Sequence, residues 1–279
     1  MADQRANSSL SRREQYSLAD STEFHQQHAQ RTAEVHARFF LPYLRPGMNL
    51  VDCGCGTGSI TVGLAEAIAP GEVTGIEISA SDVDLARERA KQGGHTNLRF
   101  EVADVYELPL PDESVDAAFF HANLGHLNNP VRALREAHRV LKPSGVVGVR
   151  EHENSLDIII GPFAEPIKQQ MIDAFVGDIH FGRDPHVGLH LSALVLEAGF
   201  GRVEQTASYE CFSTRESIRY VADMYSRRFS LPEFVDRVIN RGLTDRRAVE
   251  EMLANLKVWR EHPASSLSWA WCEAMGWKE

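Results

Sequence analysis

The chain has 279 residues, of which 43% are hydrophobic, and its formal net charge is −10 at pH 7. This length and apolar content predict one large domain, or one domain with an insertion, around a sizeable core. The acidic balance disfavours binding to a phosphate backbone, so no nucleic-acid partner is expected.

The sequence lacks the patterns of a membrane span, a signal peptide and a zinc site. No apolar run approaches the roughly 20 residues of a membrane-spanning helix, and the polar N-terminus lacks the core of a signal peptide. The four cysteines do not have zinc-site spacing. We therefore expect a cytoplasmic protein with no membrane span and no metal site.

The N-terminal part divides into two predicted segments. Residues 1–20 are rich in Ser, Gln, Arg and Asn, and we expect them to be flexible. Ser21 to Tyr43 is predicted to be an amphipathic helix, because Phe24, His28, Arg31 and Val35 lie near one face at spacings of three and four. Pro42 and the pair Pro46-Gly47 end this helix and direct the chain into the first strand.

A glycine-rich turn follows the first predicted strand, Asn49 to Cys53. Gly54, Gly56 and Gly58 occupy every second position of the turn, and a helix begins directly after it. Such a turn brings backbone N–H groups close to a nucleotide-like ligand. The third Gly comes one residue earlier than in the dinucleotide motif, and Asp52 would repel a pyrophosphate. Asp52 suits a ligand that carries an ammonium or a sulfonium group.

Strands and helices alternate through the next hundred or so residues, a pattern typical of a parallel sheet with helices on both faces. The predicted strands are Glu72–Glu77, Asn97–Val102, Ser114–His121 and Val146–Arg150, and the predicted helices are Ser59–Ala69, Asp82–Gln92 and Val131–Leu141. Ligands bind where the strands of such a sheet end, and Asp52, Glu77, Asp104 and His121 all lie there. Glu77 follows the glycines by about 20 residues, the position of a ribose-hydroxyl acceptor.

The pattern changes after the fifth strand. A long, histidine-containing connection precedes a last helix of the core and a further strand, and three more helices and a closing edge strand come after them. The predicted elements are a helical Ile167–Val176, helix Leu191–Ala198, strand Arg202–Phe212, helices Thr214–Arg228, Leu231–Gly242 and Asp245–His262, and edge strand Ser266–Ala274. The whole is predicted to be a Rossmann-like α/β fold: a doubly wound, mostly parallel, seven-stranded sheet with C-terminal helical additions.

Five of these stretches occur in the order of the motifs of a known family, and one of them is Val73 to Glu77, a second strand that ends in an acid. Val51 to Gly58 resembles the first motif of class I S-adenosylmethionine-dependent methyltransferases, and Phe100 to Val105 resembles the third. Ser114 to His121 resembles the fourth motif, and Ala133 to Gly145 resembles the helix and turn before strand five. More narrowly, 28–33, 126–130 and 271–278 are similar to the branch that includes ubiquinone and menaquinone biosynthesis enzymes.

The resemblance implies S-adenosyl-L-methionine as cofactor and a single methyltransferase domain over 21–279 with its core at 45–212. Segments 21–44, 152–190 and 213–265 would cover the cofactor or the acceptor, the first as a lid helix. Arg31 and His28 would meet the methionine carboxylate, and Asp104 would accept from the adenine amino group. The implied cofactor-binding residues are His28, Arg31, Asp52, Gly54, Cys55, Gly56, Glu77, Ile78, Asp104, Val105 and His121.

The predicted reaction is in-line methyl transfer to a small-molecule acceptor through O, N, S or C. The protein then supplies mainly alignment and exclusion of water. Where the acceptor must lose a proton, His121, His126 and His152 are the candidate bases. Three alternatives stay open: an S-adenosylmethionine-binding regulatory protein without turnover, a nicotinamide-dependent oxidoreductase, and a methyltransferase that acts on a protein. The sequence is compatible with a monomer or a homodimer.

Overall fold

The computed structural model describes residues 31–279 of the chain. The predicted flexible segment 1–20 and the first ten residues of the predicted N-terminal helix, His28 among them, lie outside the described residues.

Within those residues the N-terminal helix is shorter than predicted. Thr32 is extended, and helix α1 covers only Ala33–His36. The imidazole of its last residue lies 3.2 Å from the Thr32 N and 3.1 Å from the Thr32 O, so the ring contacts the backbone where the helix begins. The chain then turns, and Phe40 stacks on Phe119 with ring centroids 5.2 Å apart. One continuous helix to Tyr43 is therefore wrong here.

The described residues form one sheet of eight strands. The strands are β1 (Leu50–Cys53), β2 (Val73–Glu77), β3 (Leu98–Val102), β4 (Val115–His121), β5 (Leu141–His152), β6 (Ile158–Ile160), β7 (Arg202–Phe212) and β8 (Ser266–Trp277). Strands β3, β2, β1, β4 and β5 lie side by side and parallel in that order. β8 is antiparallel to β5, to β6 and to β7.

Helices cover both faces of this sheet. Besides α1 they are α2 (Ser59–Ile68), α3 (Ala80–Gln92), α4 (Pro130–Val140), α5 (Ala164–Gln170), α6 (Gly177–Ile179), α7 (Leu191–Glu197), α8 (Arg215–Arg228), α9 (Pro232–Asn240) and α10 (Arg246–Glu261). A π-helical turn, Met171–Val176, joins α5 to α6. The predicted doubly wound, mostly parallel α/β fold is confirmed.

Two details of the sheet differ from the prediction. The three-residue β6 adds an eighth strand. The last strand is also not an edge strand, because β8 lies between β5 and β7 and is buried along nearly its whole length. Its pairing with all eleven residues of β7 leaves β7 at the edge instead.

Alternation along the strands decides which side chains share a face. Leu50, Phe119 and Met275 pack under α1 and α2 on one face. Val51 and Phe120 pack on the opposite face, against α4 and α7. His121 and Asp52 lie two residues after Phe119 and Leu50, so they share the first face at the end where the parallel strands terminate. We call that end the carboxyl edge.

The C-terminal helices form a third apolar cluster with α5 and the indoles of Trp269 and Trp271. A buried carboxylate ties the segment before α7 to these helices. Asp178 accepts from Arg237 Nε and Nη2, each at 2.8 Å, and from Arg241 Nη1 at 2.6 Å. From residue 31 to the C-terminus, no helix is both long and apolar enough to cross a bilayer.

Candidate active site

The glycine turn after β1 leaves the backbone bare at the carboxyl edge. Gly54, Gly56 and Gly58 have φ of +77°, +52° and +73°, a left-handed region that favours glycine. A Cβ at Gly54 would lie 2.2 Å from Asn123 Nδ2, whereas a Cβ at Gly56 would meet nothing within 4 Å. Asn123, which follows β4, therefore fills the space beside Gly54, whereas the space beside Gly56 is open.

Glu77, the last residue of β2, holds this turn in place. Its carboxylate accepts from the backbone N–H groups of Gly56 at 3.1 Å, Ile78 at 2.7 Å and Ser79 at 3.0 Å. Burial raises the pKa of Glu77, while these hydrogen bonds act in the opposite direction. The side chain thus joins the glycine turn to the start of α3.

Asp52 lies in β1 beneath the turn and is only 3% exposed. The hydroxyl of Thr61 donates to its carboxylate at 2.7 Å. Burial raises the pKa of Asp52 to about 7, and the charge of Glu77 acts in the same direction. A cation bound beside Asp52 would favour the ionised form. Burial and Asp52 also raise the pKa of the Cys55 thiol, so this thiol stays neutral.

The region after β3 combines a carboxylate with exposed apolar side chains. Asp104 is exposed and accepts from the Tyr106 N–H at 2.9 Å. Ile78 is 39% exposed and Val102 is 50% exposed. The Val105 side chain, in contrast, packs in the core beneath the sheet. This part of the edge has the polarity that a planar, nitrogen-rich ring requires.

His121, the last residue of β4, lies between two arginines. Arg150 Nη1 is 3.0 Å from His121 Nε2, and Arg31 Nη1 is 3.4 Å from His121 Nδ1. Arg150 also donates from Nε to Glu273 Oε1 at 3.2 Å, and its guanidinium lies 4.1 Å above the Trp271 ring. Burial lowers the pKa of Arg150 to about 10. The arginine still carries its charge at neutral pH.

His126 lies in the loop beyond β4, in a different environment. Its ring stacks on His180 with centroids 6.1 Å apart. Burial, His180 and nearby arginines lower the pKa of His126 to about 3. In the same loop, the N–H groups of Asn123 and Leu124 donate to the buried Glu151 carboxylate at 2.8 and 2.7 Å. Burial raises the pKa of Glu151 to about 7.

His152, the last residue of β5, pairs with a carboxylate. Its Nε2 lies 3.0 and 3.1 Å from the two carboxylate oxygens of Asp157. Its ring stacks on Trp271 with centroids 5.0 Å apart. His121 and His152 thus both contact Trp271, whose centroid is 5.1 Å from that of His121.

Two other histidines with helical spacing pair separately with carboxylates. His186 Nδ1 lies 3.0 Å from Glu153 Oε1, and His190 Nδ1 lies 2.7 Å from Asp184 Oδ2. In the part of the chain that the structure describes, no three His, Cys, Asp or Glu side chains form a group that could hold a metal ion.

Sequence reasoning missed several side chains of this edge. Arg150 carries a signal, because a charge ends an otherwise apolar strand. Glu273, Thr61 and Asp157 carry none, because their roles depend on partners from other elements. Arg150 and Glu273, for example, are 123 positions apart in the chain.

The fold and the site together define a Rossmann-like nucleotide-cofactor enzyme, and comparisons with known proteins agree. A methyltransferase-domain family matches residues 44–175. An uncharacterised methyltransferase of Schizosaccharomyces pombe is 31% identical over 209 residues, which are 72% of this chain and 74% of that protein.

Two solved structures share the fold. The YcgJ protein of Bacillus subtilis has a TM-score of 0.58 at 16% identity, over 88% of this chain and 99% of that one. A Haemonchus contortus phosphoethanolamine N-methyltransferase, solved with S-adenosylhomocysteine, has a TM-score of 0.50 at 16% identity, over 84% of this chain and 49% of that one.

The chain therefore belongs to the methyltransferase family. The prediction of a class I, S-adenosylmethionine-dependent methyltransferase is confirmed, as are the predicted cofactor and the enzymatic activity. The nicotinamide-dependent alternative is wrong.

Proposed function

We propose that this methyltransferase transfers the methyl group to a small, moderately apolar molecule in the cytoplasm. The observation that carries the proposal is the composition of the carboxyl edge at β4, β5 and β8. His121, Arg150, His152, Trp271 and Glu273 share one face there, and we call this set the acceptor wall. Trp271 packs in the apolar cluster of the C-terminal helices. Buried aromatic side chains with a few polar groups are typical of small-molecule sites.

The cofactor side fits S-adenosylmethionine by the chemistry of its side chains. A carboxylate has about four lone-pair sites, and Glu77 uses three of them for backbone N–H groups, which leaves capacity for a ribose hydroxyl. Asp52 matches an ammonium or a sulfonium. In this proposal Asp104 and Ile78 hold the adenine, Arg31 pairs with the methionine carboxylate, and the bare backbone at Gly56 lies against the ligand.

When bound, S-adenosylmethionine supplies a methyl group that its sulfonium sulfur already activates. The protein then has to orient the acceptor and exclude water. The acceptor wall orients the acceptor in this proposal. Segment 152–190 and helices α8 to α10 cover it, consistent with the packing of the C-terminal cluster on Trp271.

Transfer of label tests the acceptor class. The purified protein is incubated with methyl-labelled S-adenosylmethionine and, separately, with the low-molecular-weight and the macromolecular fractions of an extract of the source organism. We expect label to appear in the low-molecular-weight fraction only. Label in protein or nucleic acid would contradict a small-molecule acceptor. Cofactor binding without transfer to either fraction would favour a binding protein without turnover.

A further inference from the structure

The three histidines that were candidate bases have unequal surroundings. Both ring nitrogens of His121 face arginines, and a guanidinium only donates hydrogen bonds. The His121 Nε2 lone pair is thus engaged by Arg150 at 3.0 Å. A proton on the His121 ring would add a positive charge next to the charges of Arg31 and Arg150. His126 is surrounded by His180, Arg183 and Arg31, which also disfavour a proton on its ring. Neither ring is prepared to receive a proton.

His152 has the opposite environment. Its Nε2 lies within 3.1 Å of both Asp157 oxygens, and the Asp157 side chain is 2% exposed while that of His152 is 23% exposed. A carboxylate accepts hydrogen bonds, so Nε2 carries the ring proton and Nδ1 keeps its lone pair. The same carboxylate stabilises the imidazolium that forms when Nδ1 takes up a proton.

Asp157 is itself held rigidly. The backbone N–H of Ala270 in β8 donates to its Oδ1 at 2.7 Å. Lys168 of α5 donates to the Asp157 carbonyl at 2.6 Å and to the Ser155 carbonyl at 3.0 Å, which fixes the turn after β5. We call His152 and Asp157 the dyad. It is built from the end of β5, the turn after β5 that Lys168 fixes, and the neighbouring strand β8. It is not a chance contact of two surface side chains.

The other groups beside the dyad suit a planar oxygen acceptor. The ring of His152 stacks on Trp271, whose buried indole N–H has no hydrogen-bond partner among residues 31–279. Such a donor suits an oxygen of a ligand. The amide nitrogen of Asn154 lies 3.4 Å from His152 Nδ1 and 3.5 Å from its Nε2. The contact with Nδ1 is long, so an acceptor hydroxyl can replace it.

We propose that His152 is the general base of the methyl transfer, that Asp157 is its positioning residue, and that the acceptor is a planar compound with an acidic hydroxyl of the phenol or enol type. This inference rests on the proposed function. The acceptor O–H proton passes to His152 Nδ1 while the oxygen bonds to the methyl carbon. The carbon–sulfur bond breaks with its electron pair on sulfur, and the proton later leaves the imidazolium for water.

The ring tautomer tests the dyad without any acceptor. Nitrogen-15 NMR of histidine-labelled protein, recorded over a range of pH, is expected to show the neutral form of the His152 ring protonated at Nε2. The signal is assigned with the variant His152→Gln. A ring protonated at Nδ1 would overturn the proposal, because no lone pair would then face the acceptor.

Kinetics test the role of Asp157. With a labelled acceptor from the low-molecular-weight fraction, we expect Asp157→Asn to lower kcat by about 10²–10⁴-fold while KM for S-adenosylmethionine stays constant. The control Glu165→Gln removes an exposed carboxylate of α5 and is expected to keep the wild-type kcat. Equal kcat in both variants would overturn the proposal.

Calorimetric titration of the same samples with S-adenosylmethionine distinguishes a failure of the proposed cofactor site from a failure of the His152–Asp157 pair. Absence of binding by the wild-type protein would contradict the proposed cofactor site. Binding together with the wrong His152 tautomer would overturn the dyad alone.

Discussion

The two halves of the carboxyl edge are built in different ways. On the cofactor side, around β1, β2 and β3, backbone groups close in sequence make the contacts, as where Glu77 accepts from Ile78 and Ser79. On the acceptor side, around β4, β5 and β8, side chains from distant positions make them, as in the pair Arg150–Glu273. A common cofactor can be held by one local motif, whereas the acceptor site depends on contacts between side chains that are far apart in the sequence.

The acceptor side is expected to be the more fragile half when one charge is removed. Arg150→Met leaves Glu273 buried without its cation, although Ser208 and Thr206 still donate to this carboxylate. Breaking a buried ion pair costs about 3–5 kcal/mol of unfolding free energy, measurable by chemical denaturation. The double variant Arg150→Met, Glu273→Leu is expected to recover most of this loss.

A surface pair is the matched control for this experiment. Arg247 pairs with Glu251 at 2.9 Å, and its side chain is 86% exposed. Arg247→Met is expected to leave the unfolding free energy unchanged, since exposed pairs contribute little. A similar loss in the Arg247 and Arg150 variants would show that the acceptor side is not specially dependent on its buried pair.

The cofactor side is expected to lose ligand affinity when its anchor is removed. Glu77→Ala removes the carboxylate that holds Gly56 and the proposed ribose contact. Loss of a charged hydrogen bond corresponds to about 1.5–3 kcal/mol, or roughly a 10- to 150-fold weaker dissociation constant for S-adenosylmethionine. Calorimetry measures this constant.

Glu101→Ala is the control for Glu77→Ala. Glu101 lies on the neighbouring strand β3, where its 36% exposed side chain pairs with Arg99 at 3.0 Å. The variant is expected to bind the cofactor as the wild type does. A wild-type dissociation constant in Glu77→Ala itself would refute the ribose assignment.

The smallest expected effect is a pH dependence of cofactor binding. The pKa of Asp52 is about 7 in the folded protein, and a cationic ligand favours the carboxylate. Affinity for S-adenosylmethionine is therefore expected to rise about tenfold between about pH 6 and about pH 8. Asp52→Asn should remove this rise. Thr61→Val should move it to higher pH, because the Thr61 hydroxyl lowers the pKa of Asp52.

As the pH rises, Asp52 lowers the unfolding free energy, although it raises the cofactor affinity. The unfolded-state pKa of an aspartate is about 3.9, so the folded protein binds this proton more tightly. The contribution of Asp52 to the unfolding free energy is therefore greatest below about pH 4 and is lost as the pH rises to about 7. Denaturation curves of the wild type and of Asp52→Asn should diverge over this range. If the contribution of Asp52 to the unfolding free energy instead rose with pH, as the affinity for S-adenosylmethionine does, the role given to Asp52 would be contradicted.

The cofactor side and the parallel sheet were predictable from sequence because their signals are local. Apolar strand runs, the glycines at every second position and Glu77 at the end of β2 all follow from short-range pattern. Strand ends agree with the prediction to within a few residues for β1 to β4. The contact between Glu77 and the Gly56 N–H joins residues 21 positions apart, but it lies within the single β–α–β unit formed by β1, α2 and β2.

The remaining features depend on contacts that no local pattern encodes. β8 is central only because β7 pairs along its other side, and its apolar run is equally compatible with an edge. The dyad of His152 and Asp157 requires the Ala270 N–H from a strand more than a hundred residues later. Helix α1 ends at His36, and Phe40 beyond it packs on Phe119, a contact that periodicity does not predict.

Calorimetric titration of the purified protein with S-adenosylmethionine and, separately, with NAD shows which of the two the glycine turn binds. We predict saturable one-to-one binding of S-adenosylmethionine, weakened in Glu77→Ala and retained in Glu101→Ala, with no binding of NAD. Binding of NAD alone, or S-adenosylmethionine binding that does not depend on Glu77, would contradict the placement of the cofactor at the glycine turn between β1 and β2.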